Sequence, residues 1–184
     1  KLTFKDVPEY TNTLRETLSV AYSGKNIKEI KSPNTKVVSA IHNPADQSYA
    51  LEMRLKLGRN AIDLKAVDSL GNISTHRIEI TVDTTSPQLE VESLKENEKN
   101  EVVEIKGTHK ETNLDKIVGF PGDIPAEINA LDKSFFRSLP LPADKSSLAI
   151  KAFDKAQNST ELKNLLEVET ALGASPEELT KEEI

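Results

Sequence analysis

The stretch "LKLGRNAIDLKAVDSLGNIST", residues 55–75, decides the fold. Apolar and polar residues alternate over 62–66, which is the period of a strand whose successive side chains point to opposite faces. The alternation stops at Asp68, and "SLGN" (69–72) supplies residue types that favour a tight turn. A second alternating run follows at 78–82. The segment is therefore predicted to form two antiparallel strands joined by a turn.

The same segment recurs 86 residues later as "LPADKSSLAIKAFDKAQNST", residues 141–160. The matched pairs are Leu55 with Leu141, Ile62 with Leu148, Leu64 with Ile150, Ala66 with Ala152, Asp68 with Asp154 and Asn72 with Asn158; Ile80, Val82, Asp83 and Thr84 continue onto Leu166, Val168, Glu169 and Thr170. Upstream, "NIKEI" (26–30) matches "NLDKI" (113–117), Tyr49 matches Phe135, and Met53 matches Leu139. A register held over this span indicates one unit present twice.

Further alternating runs predict the remaining strands of both copies. They lie at 18–22, 27–30, 36–41 and 49–55, then at 102–107, 114–119 and 135–139, with the last strand of the second copy continuing through Leu166 and Val168. Aromatic residues make up only 4% of the chain, so the cores must consist mainly of Val, Ile and Leu, which favours β-structure. Each copy of about 85 residues suits a seven-stranded sandwich. We predict an all-β chain with two tandem β-sandwich domains.

The register also predicts the domain boundaries. The first sandwich should span 1–85 and the second 86–170, because Pro87 lacks the N–H group that a paired central strand needs. The remaining residues, 171–184, are predicted to be a tail or a linker to a next module. Ser175 with Glu178 forms a capping box there, so the tail is either a short helix or a disordered lead.

The segment "LGRNAIDLKAVDSLGNIS" followed by "IEITVDTTSP" resembles the closing hairpin of bacterial immunoglobulin-like repeats. Such repeats occur in tandem in surface proteins and adhesins, and as accessory domains of secreted proteases and glycosidases. The resemblance is close over 55–87 and weaker over 141–170, where Gln157 replaces the turn glycine and Glu169 replaces the boundary aspartate. It implies an extracellular, cell-wall or secreted location for a piece of a longer chain with adjoining domains.

Two interpretations of the aspartates remain open. Asp68 can accept hydrogen bonds from the backbone of its own turn, a purely structural role. The resemblance instead implies calcium at the repeat boundary, with Asp83 as the ligand and Asp68 as a possible second one, since Ca²⁺ binds carboxylate and carbonyl oxygens. The two residues lie at opposite ends of one predicted strand, so they should not share an ion.

Other chemistries find little support in the sequence. His42, His76 and His109 lack the spacing of zinc ligands and are predicted to be surface residues. The chain has no cysteine for a disulfide or a thiolate site, no GxSxG elbow and no run of 18 apolar residues. The net charges of 1–85, 86–170 and 171–184 are +2, −5 and −3, without the basic stripe of a nucleic-acid binder. We therefore predict no enzyme activity, no nucleic-acid partner and no membrane insertion.

Carbohydrate binding is harder to dismiss, because sugars pack on exposed aromatic rings. Trp is absent, and Tyr49 and Phe135 occupy strand positions that predict burial. Phe120 and Phe136 are the remaining candidates, together with the Pro-containing loop at 119–130. The sequence thus predicts a non-catalytic spacer, stalk or adhesion segment whose partners are host or cell-wall glycans or proteins. The alternative is an accessory domain, glycan-binding or packing, of a secreted protease or glycosidase.

Overall fold

The computed structural model describes residues 2–23 and 27–166. Contacts divide the chain into two compact units, which we call unit 1 (Lys1–Thr85) and unit 2 (Ser86–Ile184). Strands dominate both units, and the prediction of an all-β chain of immunoglobulin-like sandwiches is confirmed.

Unit 1 contains two four-stranded sheets. Its strands are β1 (Leu2–Lys5), β2 (Tyr10–Thr11), β3 (Arg15–Tyr22), β4 (Ile27–Lys31), β5 (Lys36–Asn43), β6 (Ser48–Arg54), β7 (Gly58–Asp68) and β8 (Ile73–Val82). The first sheet has the order β1-β3-β6-β5 and the second β2-β8-β7-β4. Pairing is antiparallel except between β2 and β8, which are parallel. This is the strand arrangement of an immunoglobulin-like sandwich.

Unit 2 repeats this plan with small changes. Its strands are β9 (Leu89–Asn97), β10 (Val102–His109), β11 (Leu114–Phe120), β12 (Ile124–Pro125), β13 (Glu127–Asn129), β14 (Ser134–Pro140), β15 (Ala149–Asp154) and β16 (Ser159–Leu162), with a 3₁₀ turn at Lys145–Ser147. The sheets have the orders β9-β10-β14-β13 and β12-β11-β15-β16. Unit 2 therefore carries an extra edge strand, β12, beside β11.

Residues at matched positions of the two copies are buried in the two cores. The inward residues of β7 and their counterparts at and before β15 are buried in their cores: Ile62, Leu64, Ala66, Leu148, Ile150 and Ala152. Tyr49 and Phe135 are both buried, as are Met53 and Leu139. Large aliphatic side chains in period-two positions thus supply most of the buried area that stabilises each sandwich.

The repeat extends to an irregularity in the backbone. The pairing of β4 with β7 shifts register between Ile27 and Glu29, and that of β11 with β15 shifts between Leu114 and Lys116. These are matched positions, so the same β-bulge occurs in both units beside the turn aspartate. Bulges of this kind bend a strand and increase its local twist.

The end of unit 2 differs from the sequence-based prediction. Strand β16 ends at Leu162, Asn164 has a positive φ of 53°, and residues 165–166 are helical. Leu166 is buried in the core, as its match Ile80 is, but from a helical segment, so its assignment to a strand is wrong. The left-handed backbone at Asn164 interrupts the extended conformation that a longer strand would need. Val168 and the predicted tail at 171–184 lie outside the described residues.

The prediction of three surface histidines is wrong for His109. His42 is exposed, and His76 is half-buried with its ring 5.7 Å from that of Phe4. The side chain of His109, at the end of β10, is only 6% exposed, and neither ring nitrogen has a hydrogen-bond partner. Burial lowers the pKa of His109 and the Lys133 ammonium lowers it further, against a smaller opposing effect of Glu111.

This burial predicts a pH-dependent stability. The folded-state pKa lies below the ordinary histidine value of about 6.5, so the unfolded state binds a proton first as the pH falls. The free energy of unfolding should be unaffected by His109 above about pH 6.5 and should decline as the pH falls toward the folded-state pKa of His109. Urea unfolding should show that lowering the pH from 7.5 to 5.5 reduces the stability of His109→Gln less than that of the unsubstituted chain, because glutamine does not titrate. Equal pH dependence in both would contradict the prediction, and His42→Gln is the control.

Candidate functional site

The turn between β7 and β8 is built around the Asp68 carboxylate. Its Oδ1 accepts hydrogen bonds from the backbone N–H groups of Leu70 (2.9 Å) and Asn72 (2.8 Å), and its Oδ2 accepts from Asn72 Nδ2 (2.8 Å). The Asp68 N–H donates to the Asn72 carbonyl (3.1 Å), and Gly71 provides a φ of +85°. Both carboxylate oxygens therefore stabilise the turn directly.

The turn between β15 and β16 contains the same arrangement. Asp154 Oδ1 accepts from the Asn158 N–H and Oδ2 from Asn158 Nδ2, both at 2.8 Å, while the Asp154 N–H donates to the Asn158 carbonyl at 3.1 Å. Gln157 adopts the left-handed conformation of Gly71, with a φ of +67°. The weaker sequence match of the second copy at Gln157 thus hides the same geometry. We call the two pairs the aspartate–asparagine clamps.

The two clamps differ in burial. Asp154 is completely buried, whereas Asp68 is partly accessible to solvent. The side-chain hydrogen bond from Asn72 lowers the pKa of Asp68, and the backbone N–H groups of the turn lower it further. Asp68 is therefore ionised at neutral pH, with its charge directed at amide donors of its own turn.

Asp83 lies at the other end of β8, roughly 30 Å from the clamp at the rise of an extended strand. Its Oδ1 accepts a hydrogen bond from the Thr85 N–H (2.9 Å), and its own N–H donates to the Thr11 carbonyl (2.9 Å). The structure does not bring Asp68 and Asp83 together. Across residues 2–23 and 27–166, no group of three or more His, Cys, Asp or Glu is placed to hold a metal. Calcium at Asp83, or at Asp68, stays a prediction.

The two aromatic candidates occupy separate faces of unit 2. Phe136 points outward from β14, with Lys106 Nζ 5.6 Å from its ring centroid. Phe120 ends β11, and the segment that follows is an ordered hairpin: β12 pairs back onto β11, and the Ala126 N–H donates to the Ile117 carbonyl at 2.8 Å. Residues 119–130 therefore supply an edge strand to each sheet of unit 2, β12 beside β11 and β13 beside β14.

A second aromatic group, not predicted from the sequence, lies on the outer face of β11 and β15. The ammonium groups of Lys116 and Lys151 lie 5.1 and 4.9 Å from the ring centroid of Phe153. The alternation in "AIKAFD" (149–154) already assigned Lys151 and Phe153 to the outward side. The missing information was that Lys116 stands directly opposite Phe153 in the sheet.

No protein-family model and no curated protein matches this sequence. Among solved structures, fibronectin(III)-like modules of Clostridium thermocellum CbhA are similar, with a TM-score of 0.55 at 11% identity over 89% of this chain and 91% of that one. The Yersinia pseudotuberculosis adhesin InvE scores 0.33 at 9% identity, covering 88% and 57%. The Bacteroides ovatus protein SGBP-B, solved with a mixed-linkage heptasaccharide, scores 0.32 at 13% identity, covering 85% and 40%. The likeness to the CbhA modules shows the β-sandwich fold.

The unequal burial of the clamps predicts unequal costs of substitution. Asp154→Ala leaves half-buried amide donors of the turn without an acceptor, and we expect it to lower the free energy of unfolding of unit 2 by about 2–3 kcal/mol. Asp68→Ala exposes its turn donors to water and should destabilise unit 1 less. Urea denaturation measures both values. Equal losses would show that burial does not set the cost.

Calcium binding at Asp83 is expected to change the melting temperature of the chain. Added Ca²⁺ should raise the melting temperature, EDTA should reverse the rise, and Asp83→Asn should abolish it because the amide lacks the charge that Ca²⁺ favours. Asp46→Asn, the same charge change in the exposed turn between β5 and β6, is the matched control. A melting temperature that changes with neither Ca²⁺ nor EDTA would contradict calcium binding at Asp83.

Proposed function

We propose that this chain is a non-catalytic spacer in a bacterial surface or secreted protein, where its two units separate neighbouring parts of a longer chain. The observation that carries the proposal is the bonding at the ends of each unit. In both units, the incoming backbone is hydrogen-bonded near the strand through which the chain leaves the sandwich.

In unit 1 the incoming segment pairs first with β3 through β1 and then, through β2, runs parallel to the outgoing strand β8. Tyr10 pairs with Thr81 and Thr11 with Val82. The Thr81 N–H donates to the Glu9 carbonyl and the Asp83 N–H to the Thr11 carbonyl, both at 2.9 Å. Tension applied through the two ends of a parallel pair loads such bonds together rather than one after another. This geometry suits a unit that must stay folded between two attachments.

In unit 2 the incoming segment is bonded at two successive residues. The Pro87 carbonyl accepts a hydrogen bond from Thr160 Oγ1 on the outgoing strand β16. The Gln88 carbonyl accepts from the Lys110 N–H at 3.1 Å. The entry to unit 2 is thus tied to its own sandwich before β9 begins at Leu89.

These contacts leave a short connection in the chain. The Thr85 N–H is bonded to Asp83 of unit 1, and the Pro87 carbonyl is bonded to unit 2. The proline ring also restricts φ at Pro87. Few backbone torsion angles of the connection at 85–87 are therefore left unrestrained. Such a connection favours a spacer over a flexible tether.

The extracellular setting rests on sequence. The motif "VDTTSP" (82–87) and the tandem repeat resemble those of bacterial surface modules. No helix among the described residues is long and apolar enough to cross a membrane. We propose neighbouring domains, and cell-wall or host glycans or proteins, as its partners.

Lengthening the joint tests the spacer role. A six-residue Gly/Ser insertion between Thr85 and Ser86, on the order of 15 Å of flexible chain, should broaden the distribution of maximum dimensions measured by small-angle scattering. The control carries the same insertion in the exposed turn between β9 and β10, at Lys99. The proposal fails if the joint variant and the control give the same distribution as the parent chain.

A further inference from the structure

The outer face of the second sheet of unit 2 has a chemistry that the spacer role does not use. Register places Lys116, Val118 and Phe120 of β11 on this face, opposite Phe153, Lys151 and Ala149 of β15. The alternate residues of β15, Ile150 and Ala152, point into the core. We call these six outward residues the lysine–phenylalanine face.

The two lysines of the face share one aromatic ring. Both ammonium groups lie about 5 Å from the centre of the Phe153 ring, which attracts them through its quadrupole. Glu161 of β16 stands opposite Lys151 in the sheet but is ion-paired with Lys163 at 3.3 Å, and among the described residues neither Lys116 nor Lys151 forms an ion pair. Both ammonium groups can therefore donate hydrogen bonds to an added anion.

The floor of the face is apolar. Val118 and Ala149 are only 8% and 5% exposed although they point away from the core. The side chains around them therefore cover the sheet, and the aliphatic stems of long lysine side chains do so while their charges stay in water. The face combines ring surfaces, a closed apolar floor and two positive charges.

Unit 1 provides an internal comparison on the same scaffold. The positions matched to Lys116, Ala149 and Phe153 are Glu29, Asp63 and Val67. Glu29 forms an ion pair with Lys31 at 2.8 Å, and Asp63 lies 4.0 Å from Arg77. The fold therefore accepts a charge-balanced face at these positions, and the unbalanced lysine–phenylalanine face of unit 2 is not a requirement of the sandwich.

The position of the face in the sheet restricts what it can bind. Strand β11 is paired with β12 and β15, and β15 is paired with β11 and β16. Strand β15 has a paired neighbour on each side, so a peptide cannot be added as a strand beside Lys151 and Phe153. At these positions a ligand is recognised by ring surfaces and ammonium groups, and a sugar chain carrying carboxylates offers both an apolar C–H face and the opposite charge.

We propose that the lysine–phenylalanine face of unit 2 binds an acidic polysaccharide, with its carboxylates on Lys116 and Lys151 and its sugar rings against the aromatic side chains. Residues 86–170 carry a net charge of −5, so the attraction is local and opposes the field of the unit as a whole. Binding should accordingly be short-ranged and weakened by salt. This inference does not depend on the spacer role.

The test uses the full chain and polygalacturonate as the probe in isothermal titration. The double variant Lys116→Gln/Lys151→Gln should weaken binding at least about tenfold through the loss of two charge-assisted contacts. Phe153→Val, which introduces the residue that unit 1 carries at this position, should also weaken it. Lys95→Gln, the same charge change on the other sheet, should bind as the parent chain does. Unchanged unfolding curves show that the variants fold.

Each outcome of the titration either supports or overturns the inference. Binding of polygalacturonate that is lost in the face variants and kept in Lys95→Gln supports it. Three results overturn it: no binding of polygalacturonate, binding unaffected by the face substitutions, or equal binding of poly-glutamate, which would make charge alone the determinant and an acidic peptide the better ligand. Dextran, a neutral glycan, should not bind. None of these results bears on the scattering test of the joint.

Discussion

The closing hairpin of each unit must hold a single register, and the aspartate–asparagine clamp at its turn provides that constraint. A slip of one residue would turn Ile62, Leu64 and Ala66 away from the core, because side chains of a strand alternate between faces. The clamp places two carboxylate oxygens on amide donors of the asparagine four residues on, so the turn has one geometry. The bulge beside it, at Ile27 in unit 1, recurs in unit 2.

Because this constraint is internal to each sandwich, the outward residues are free to diverge. Unit 1 pairs its charges on the outer face of β4 and β7, whereas unit 2 has Lys116 and Ala149 in place of the acids Glu29 and Asp63, and Phe153 in place of Val67. The same architecture therefore carries an ion-paired sheet face in one copy and an aromatic, cationic sheet face in the other. Copies of one fold can in this way serve as a support and as a binding surface at once.

Burial was the least predictable property of the polar residues. His109 ends a strand whose inward positions are apolar, yet its ring is buried without hydrogen bonds because neighbouring elements close over it. Asp154 is buried and Asp68 is not, although both carboxylates accept the backbone and side-chain hydrogen bonds of the asparagine four residues on. The same hydrogen bonds thus occur at unequal solvent exposure, since exposure depends on what packs nearby and not on the turn itself.

Period-two alternation and turn chemistry act over a few neighbouring residues, so the two copies, the inward residues of β7 and β15 and the turn role open to Asp68 follow from the sequence alone. Strand pairing between distant residues instead brings Leu166 into the core from a helical segment, places β12 and β13 at the edges of two sheets, and sets Lys116 opposite Phe153. These features depend on which strands pair and in what register, which residues distant in the chain establish together.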